Sequence, residues 1–398
     1  PYPVRGGLCE ASGFMNQGNS LKYWDALNSL DFFVVQDLWK TPTVGAADIV
    51  LPVMHWLEVD CPRLSQGATG AQGANCRCIE PPADCHFDVD IILDVYKRMG
   101  IPWADDPVSY GLPEGVQWPT TEQLYDRTIS TTGLTWQEYK EAFQKHGWWD
   151  CRAINPEVWG TYRRYETGRM SAIGETPAGN PMKGFSTPTR KQELWSTVME
   201  TYEPSGKFNL PTWEPAPRTE LADPSIVEEW PFLMTTGRRI PVYFHSEHRQ
   251  LPWCRELWPV PKCEINPVDA EKLGVTQGDW VWIESPEGKV RQTVDLYYGV
   301  EPGVINCEHQ WWYPELDQAG GGFELSTINC LVTGEDQDPI CGASYLRAYN
   351  VKVYKATADN SPFGNPVPCG EDGTPIICDA SDPRLLDWMP NYEIRNEA

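Results

Sequence analysis

The stretch DFFVVQDLWKTPTVGAADIVLPVMHWLE, residues 31–58, decides the architecture. Its apolar run from Phe32 to Val35 ends in Gln36 and Asp37, which predicts a buried strand with two hydrogen-bonding side chains at its carboxyl end. Open α/β sheets bind ligands at that edge. A small-residue turn, Val44 to Asp48, then leads into a second apolar strand, Ile49 to Leu51, closed by Pro52. The spacing suits two adjacent parallel strands of one sheet.

A second informative block lies two hundred residues on. PFLMTTGRRIPVYFHSEHR, residues 231–249, reads as an apolar strand running into Thr236, Gly237 and Arg238, then a loop with His245, Ser246 and Arg249. Glycine allows close approach of backbone to a ligand, and arginines offer planar donor forks suited to pyrophosphate. The chain beyond this loop is β-rich. Asn266, Pro267 and Gly274 are the start and stop signals of a short helix. Trp280 to Ser285 alternates as a strand, Pro286-Glu287-Gly288 turns, and Lys289 to Tyr298 returns as its hairpin partner. Near the end come Asn329, Asp338-Pro339, Tyr345, Arg347 and a last strand, Asn350 to Tyr354.

The first block resembles the end of the catalytic domain of the dimethyl sulfoxide reductase family, on the strength of Gln36-Asp37, Thr41-Pro42-Thr43, Ala47-Asp48, Leu51-Pro52 and Leu57-Glu58. The second resembles the cofactor-clamping loop and dinucleotide-binding barrel of the same family, including Asn266-Pro267, Asp269-Ala270 and Leu273-Gly274. The resemblance covers about residues 6–60 and 230–355 and is loose between them. It implies an α/β fold in three parts. Residues 1–60 would be the tail of a Rossmann-like parallel-sheet domain, 61–229 an irregular helical and aromatic-rich segment, and 230–398 a molybdopterin dinucleotide-binding β-barrel.

The same resemblance implies a cofactor, molybdenum or tungsten held between two pterin guanine dinucleotides, and the residues that meet it. Asp37 and Asp48 would bind guanine or ribose, and Gln36 and Thr41 the adjoining phosphate or ribose. Thr236, Gly237, Arg238, His245 and Ser246 would face pterin or pyrophosphate of one dinucleotide, with Asn329, Tyr345 and Arg347 closing over it. No residue here reads as the metal ligand. His55 and Tyr165 are the candidate acid–base groups, each set against a purely structural role.

The chain starts at Pro1, and neither the family's metal-ligand residue nor its Cys-rich iron–sulfur motif is visible. The expectation is therefore the C-terminal half of a larger enzyme, with the 4Fe–4S cluster in the N-terminal half and an iron–sulfur electron-transfer subunit as partner. The family also suggests a prokaryotic enzyme exported by the twin-arginine route, with the cytoplasm as the alternative. With 398 residues, 41% of them hydrophobic, and no apolar run near twenty, the chain has material for two or three cores and no membrane-spanning segment. Its formal net charge of −24 argues against nucleic acid as a partner. The 13 cysteines are scattered. Their one close group, Cys76, Cys78 and Cys85 beside His86, has neither zinc-ribbon nor ferredoxin spacing, so buried or loop thiols are the default.

In the middle of the chain, Ile91, Ile92, Val95 and Met99 share a face of a helix over Asp88 to Met99. Thr135 with Glu138 forms a capping box for a second helix, Trp136 to His146, and a third is expected over Lys191 to Tyr202. Between them, Trp148, Trp149, Trp159, Tyr162 and Tyr165 with Arg163 and Arg164 either pack a core or line a funnel for a flat aromatic substrate. Together with the Gly-rich loop before Cys76, this stretch looks like the gut-bacterial catechol dehydroxylases. The resemblance implies three function classes. They are reductive dehydroxylation or oxygen-atom transfer on a small, aromatic molecule, a non-redox hydratase or transhydroxylase with the same cofactor, and a cofactor-free respiratory-complex subunit.

Overall fold

The apolar run at Phe32 does form a strand, and it is the centre of a three-stranded sheet in the computed structural model. The structure describes residues 2–10, 13–64, 71–82, 84–147, 149–150, 187–238 and 241–388. β1 (Gly6–Glu10) pairs in parallel with β2 (Phe32–Asp37), and β3 (Ile49–Pro52) lies on the other side of β2. Asp48, just before β3, donates its N–H to the Phe33 carbonyl and accepts the Phe33 N–H. Both strands therefore start at the same edge, as expected for parallel neighbours. Gln36 pairs with Glu10 at the carboxyl edge.

By its contacts the chain divides into two units, one of Pro1–Leu51 with Glu214–Ala398 and one of Pro52–Trp213. Read from sequence, the boundaries fall at 60 and 229 instead. The N-terminal sheet joins the C-terminal module because the two share one core. Phe33, Val35 and Val44 pack in a single apolar cluster with Met234, Ile265, Ile283, Ile305 and Val351.

In the second unit, β4 (Cys61–Leu64) and β5 (Ala71–Asn75) pair antiparallel, and β5 continues to a short β6 (Trp149–Asp150). The helix Trp136–His146 starts at the Thr135 capping box, with Glu138 N–H donating to Thr135 Oγ1 and Gly147 ending it at φ 70°. A second capping box, Thr120 with Gln123, opens the helix Thr121–Thr128. Tyr125, Ile129, Trp136 and Tyr139 form the core between these elements.

Two helix expectations need correction. In Asp88–Arg98 Ile91, Ile92 and Val95 are half-buried beside the buried Leu93, whereas Met99 is 67% exposed and caps the C-terminus, so the apolar stripe stops a turn short of it. The helix expected over 191–202 is confined to Thr197–Tyr202. Ser196 caps it, and Glu193 turns its carboxylate back to accept from Thr189 and Thr197 instead of continuing a helix.

The C-terminal module is a closed barrel. Its strands are β7 (Phe232–Arg238), β8 (Lys262–Ile265), β9 (Trp280–Ser285), β10 (Gly288–Leu296), β11 (Val304–Glu308) and β12 (Tyr349–Lys355), in the order β10, β8, β11, β7, β12, β9. Closure leaves no free edge. Alternation sorts the side chains. Val281 and Ile283 point into the apolar lumen, while Trp280 and Trp282 join an outer aromatic layer with Tyr243, Trp311 and Tyr313. Arg255 and Glu315, both essentially inaccessible, pair at 2.8 Å and also hold the backbone of Ile377, which fixes the C-terminal segment to the barrel wall. Among the described residues no helix is long and apolar enough to cross a membrane.

Candidate functional site

The candidate site grows from the carboxyl edge of β2. Gln36 is fully buried, and neither its amide nitrogen nor its oxygen has a hydrogen-bond partner among the described residues. An unmet buried amide costs about 1–3 kcal/mol, so such a group signals a ligand or a strained function. Asp37 engages its own loop, accepting from the N–H groups of Leu38 at 2.7 Å and Trp39 at 3.3 Å and from the Thr41 hydroxyl at 3.1 Å. Asp48 accepts the Phe33 N–H at 2.7 Å and so serves the sheet directly.

A short turn, Phe14–Asn16, carries this edge across to the barrel. Phe14 N–H donates to Thr43 Oγ1 at 3.1 Å, and Asn16 Nδ2 donates to Ser246 Oγ at 2.8 Å. The Asn16 carbonyl accepts from Asn329 Nδ2 at 2.6 Å and from Gln310 Nε2 at 3.3 Å. Ser246 and Asn329, expected at the cofactor, thus meet on one residue that the motifs did not single out. Nothing local marks Asn16 as special, beyond a small and polar run, GFMNQGNS, that suits a tight turn.

The barrel side continues the edge. At the end of β7, Thr236 Oγ1 donates to the Leu346 carbonyl at 2.9 Å, tying the 344–347 segment to the strand. A Cβ on Gly237 would meet nothing closer than 3.8 Å, where Asn306 Oδ1 and Thr235 Oγ1 lie, so this backbone is open to close approach. Arg238 ends the strand, paired with Glu308, and its side chain lies outside the described residues. Tyr345 packs against the core, and Arg347 is exposed.

The loop after β7 holds His245 at φ 50°, with its ring 5.5 Å from that of His309. Beneath it Arg249 is 3% exposed, its guanidinium over the rings of Tyr243 at 4.2 Å and Trp311 at 4.9 Å. Burial pushes its pKa down to about 10, with Tyr243 and Glu308 opposing, so it stays charged at neutral pH. Buried oxygens without a partner among the described residues recur here, at Gln310 Oε1 and Asn306 Oδ1.

The two acid–base candidates fare differently. His55, in the second unit, accepts the Leu57 N–H at Nδ1 and rests on Trp56, with ring centroids 4.9 Å apart. That is a turn-forming role. Tyr165, with Trp148, Trp159, Tyr162, Arg163 and Arg164, lies outside the described residues, as does the side chain of Trp149. Among the described residues no three His, Cys, Asp or Glu side chains gather as a metal site, and the group at Cys76, Cys78, Cys85 and His86 is no exception.

Comparison with known proteins bears on the barrel and on the chain as a whole. The family description Molydopterin dinucleotide binding domain matches residues 232–349, the span from the start of β7 to the start of β12. Dopamine dehydroxylase of Eggerthella lenta is 48% identical over 99% of this chain, which covers 42% of that protein. Acetylene hydratase of Syntrophotalea acetylenica is 29% identical over 89% of the chain and 44% of its own length. A solved acetylene hydratase from Pelobacter acetylenicus superposes with a TM-score of 0.72 at 26% identity, over 89% of this chain and 45% of that one. The chain spans less than half the length of the curated relatives it matches.

Proposed function

Since this chain is a homologue of the molybdopterin oxidoreductases of the dimethyl sulfoxide reductase family and carries their dinucleotide-binding domain, we propose that it is part of an enzyme that reductively removes a hydroxyl group from a catechol. The observation that carries this reading is the 48% identity to dopamine dehydroxylase over nearly the whole chain. In the longer protein the remaining part would supply the metal ligand and the 4Fe–4S cluster, with an iron–sulfur subunit as electron donor. A sheet that leaves Leu8, Phe32, Ile49 and Val50 nearly half exposed supports further chain packing there.

The residues fit a pterin guanine dinucleotide. Gln36 presents a buried donor and acceptor with no partner among the described residues, as a guanine or ribose edge requires. Open backbone at Gly237 lets a diphosphate approach N–H groups closely, and Ser246, Asn329 and Gln310, gathered on Asn16, offer hydroxyl and amide groups around it. Asp37, Thr41 and Asp48 shape the rim, and Thr236 anchors the segment of Tyr345 and Arg347 at its other side. When bound, the cofactor supplies a metal that exchanges electrons while oxygen leaves the substrate. The part of this chain is to bind and orient it.

The likeness to acetylene hydratase favours a second reading, a non-redox addition of water with the same cofactor. One assay separates them. The full-length enzyme is given a panel of catechols with and without a reduced viologen dye, and separately acetylene in water. Reductant-dependent loss of one aromatic hydroxyl is expected. Turnover of acetylene without reductant, and none of any catechol, would establish the second reading instead.

A further inference from the structure

Two segments leave the barrel side by side, the loop 241–250 after β7 and the residues 309–312 after β11, and each brings an imidazole. The rings of His245 and His309 stand 5.5 Å apart at 77°. Three residues in these segments are non-glycines with positive φ, His245 at 50°, His248 at 74° and Gln310 at 59°. L-residues avoid that region, so such backbone persists only where neighbours hold it.

One side chain holds all three places. Arg249 Nη1 donates to the carbonyls of His245 and Glu247, and Nη2 to that of His309 at 3.4 Å. These carbonyls belong to the peptide units that come after His245, before His248 and before Gln310, so each strained residue has one peptide bond gripped. The guanidinium itself packs on the rings of both Tyr243 and Trp311. Trp311 in turn is fixed by its indole N–H donating to Glu308 at 3.0 Å. A lysine in this position would keep the charge but lose the planar fork that reaches several carbonyls at once.

We propose that Arg249 is a positioning residue for the dinucleotide: it locks the two loops so that His245 and His309 together face the anionic diphosphate of the cofactor. His309 thereby becomes a contact residue that the motifs did not single out. This role rests on the proposed function and deepens it. Adjacent Ser246, held by Asn16, and the buried oxygen of Gln310, unpartnered among the described residues, place further ligand-seeking groups on the same two loops.

The test uses the full-length enzyme with Arg249→Lys and, separately, His309→Asn. Two quantities are read, pterin dinucleotide bound per chain and amide hydrogen exchange across residues 243–250, 309–312 and 262–296. In Arg249→Lys, exchange should rise in the first two segments together and not in the third, and bound cofactor should fall about tenfold. In His309→Asn, cofactor should fall while exchange stays at the wild-type level in all three. Full cofactor retention in either variant overturns the proposal while leaving the functional reading intact. So does a loss in Arg249→Lys that comes only with faster exchange across 262–296. A wild-type enzyme without any pterin dinucleotide overturns both. Should Arg249→Lys fail to fold, the His309→Asn result decides.

Discussion

Asn16 donates its side-chain amide to the hydroxyl of Ser246 at 2.8 Å, across 230 positions of sequence. Through this bond and the Asn329 and Gln310 bonds to the Asn16 carbonyl, the N-terminal sheet and the barrel present their polar groups to one edge.

Replacing Asn16 by Ala should remove the bond to Ser246 but keep those to its carbonyl. The expected loss is about 1 kcal/mol of stability, the usual net value of one such bond. Urea unfolding checks that, and bound cofactor should fall more than stability does. A stability change with full cofactor retention would show that the bond serves folding only.

Gln36 predicts the opposite sign. Because both ends of its amide are buried without partners among the described residues, Gln36→Met should stabilise the cofactor-free protein by about 1 kcal/mol. The same change should weaken cofactor retention. Thermal unfolding of the cofactor-free variant is the measurement, and a lower melting temperature would mean that the amide is satisfied in some other way.

Gly45 marks a close backbone crossing. A Cβ there would lie 2.3 Å from the backbone nitrogen of Gly320, which sits in a run of three positive-φ glycines and cannot yield as a flexible side chain would. Gly45→Ala should cost about 1–3 kcal/mol or more, visible as a lower urea midpoint. A neutral result would show that the turn Val44–Ala46 can move away.

Asp60 sets an acid limit on the second unit. Burial raises its pKa, but hydrogen bonds from Lys140 Nζ and the Arg77 N–H, both at 2.8 Å, outweigh this and hold the carboxyl below its ordinary value. A carboxyl depressed in the folded state contributes stability above its unfolded pKa, near pH 4. That contribution is lost as pH falls through the lower, folded value. Asp60→Asn should therefore flatten this part of the acid unfolding curve and lower stability at neutral pH. An unchanged curve would assign the acid limit to other groups.

Much of the fold was legible where local chemistry decides. The strand at Phe32, the Thr135–Glu138 box, the Asn266–Gly274 helix and the hairpin from Trp280 arise from periodicity and capping, and each is present. The features that were not legible depend on partners far away in sequence. Asn16 acquires its role only when Ser246 arrives, and the carbonyl of His309, just before the positive-φ Gln310, meets the Arg249 guanidinium across 60 positions. Residues 1–51 group with 214–398 because the N-terminal sheet and the barrel share one apolar cluster, which no linker composition announces. The stripe on Asp88–Arg98 departs from the expectation only at Met99, for a milder reason. Several apolar residues offer more than one face, and packing selects Leu93.

On the proposed function, these groups surround a pterin guanine dinucleotide. Acid hydrolysis of the purified full-length enzyme, with quantification of released guanosine monophosphate and metal, tests it most directly. Two guanosine monophosphates and one molybdenum or tungsten per chain are expected, as the bis-dinucleotide cofactor requires. Preparations that are folded and complete yet release no guanine nucleotide would contradict the account.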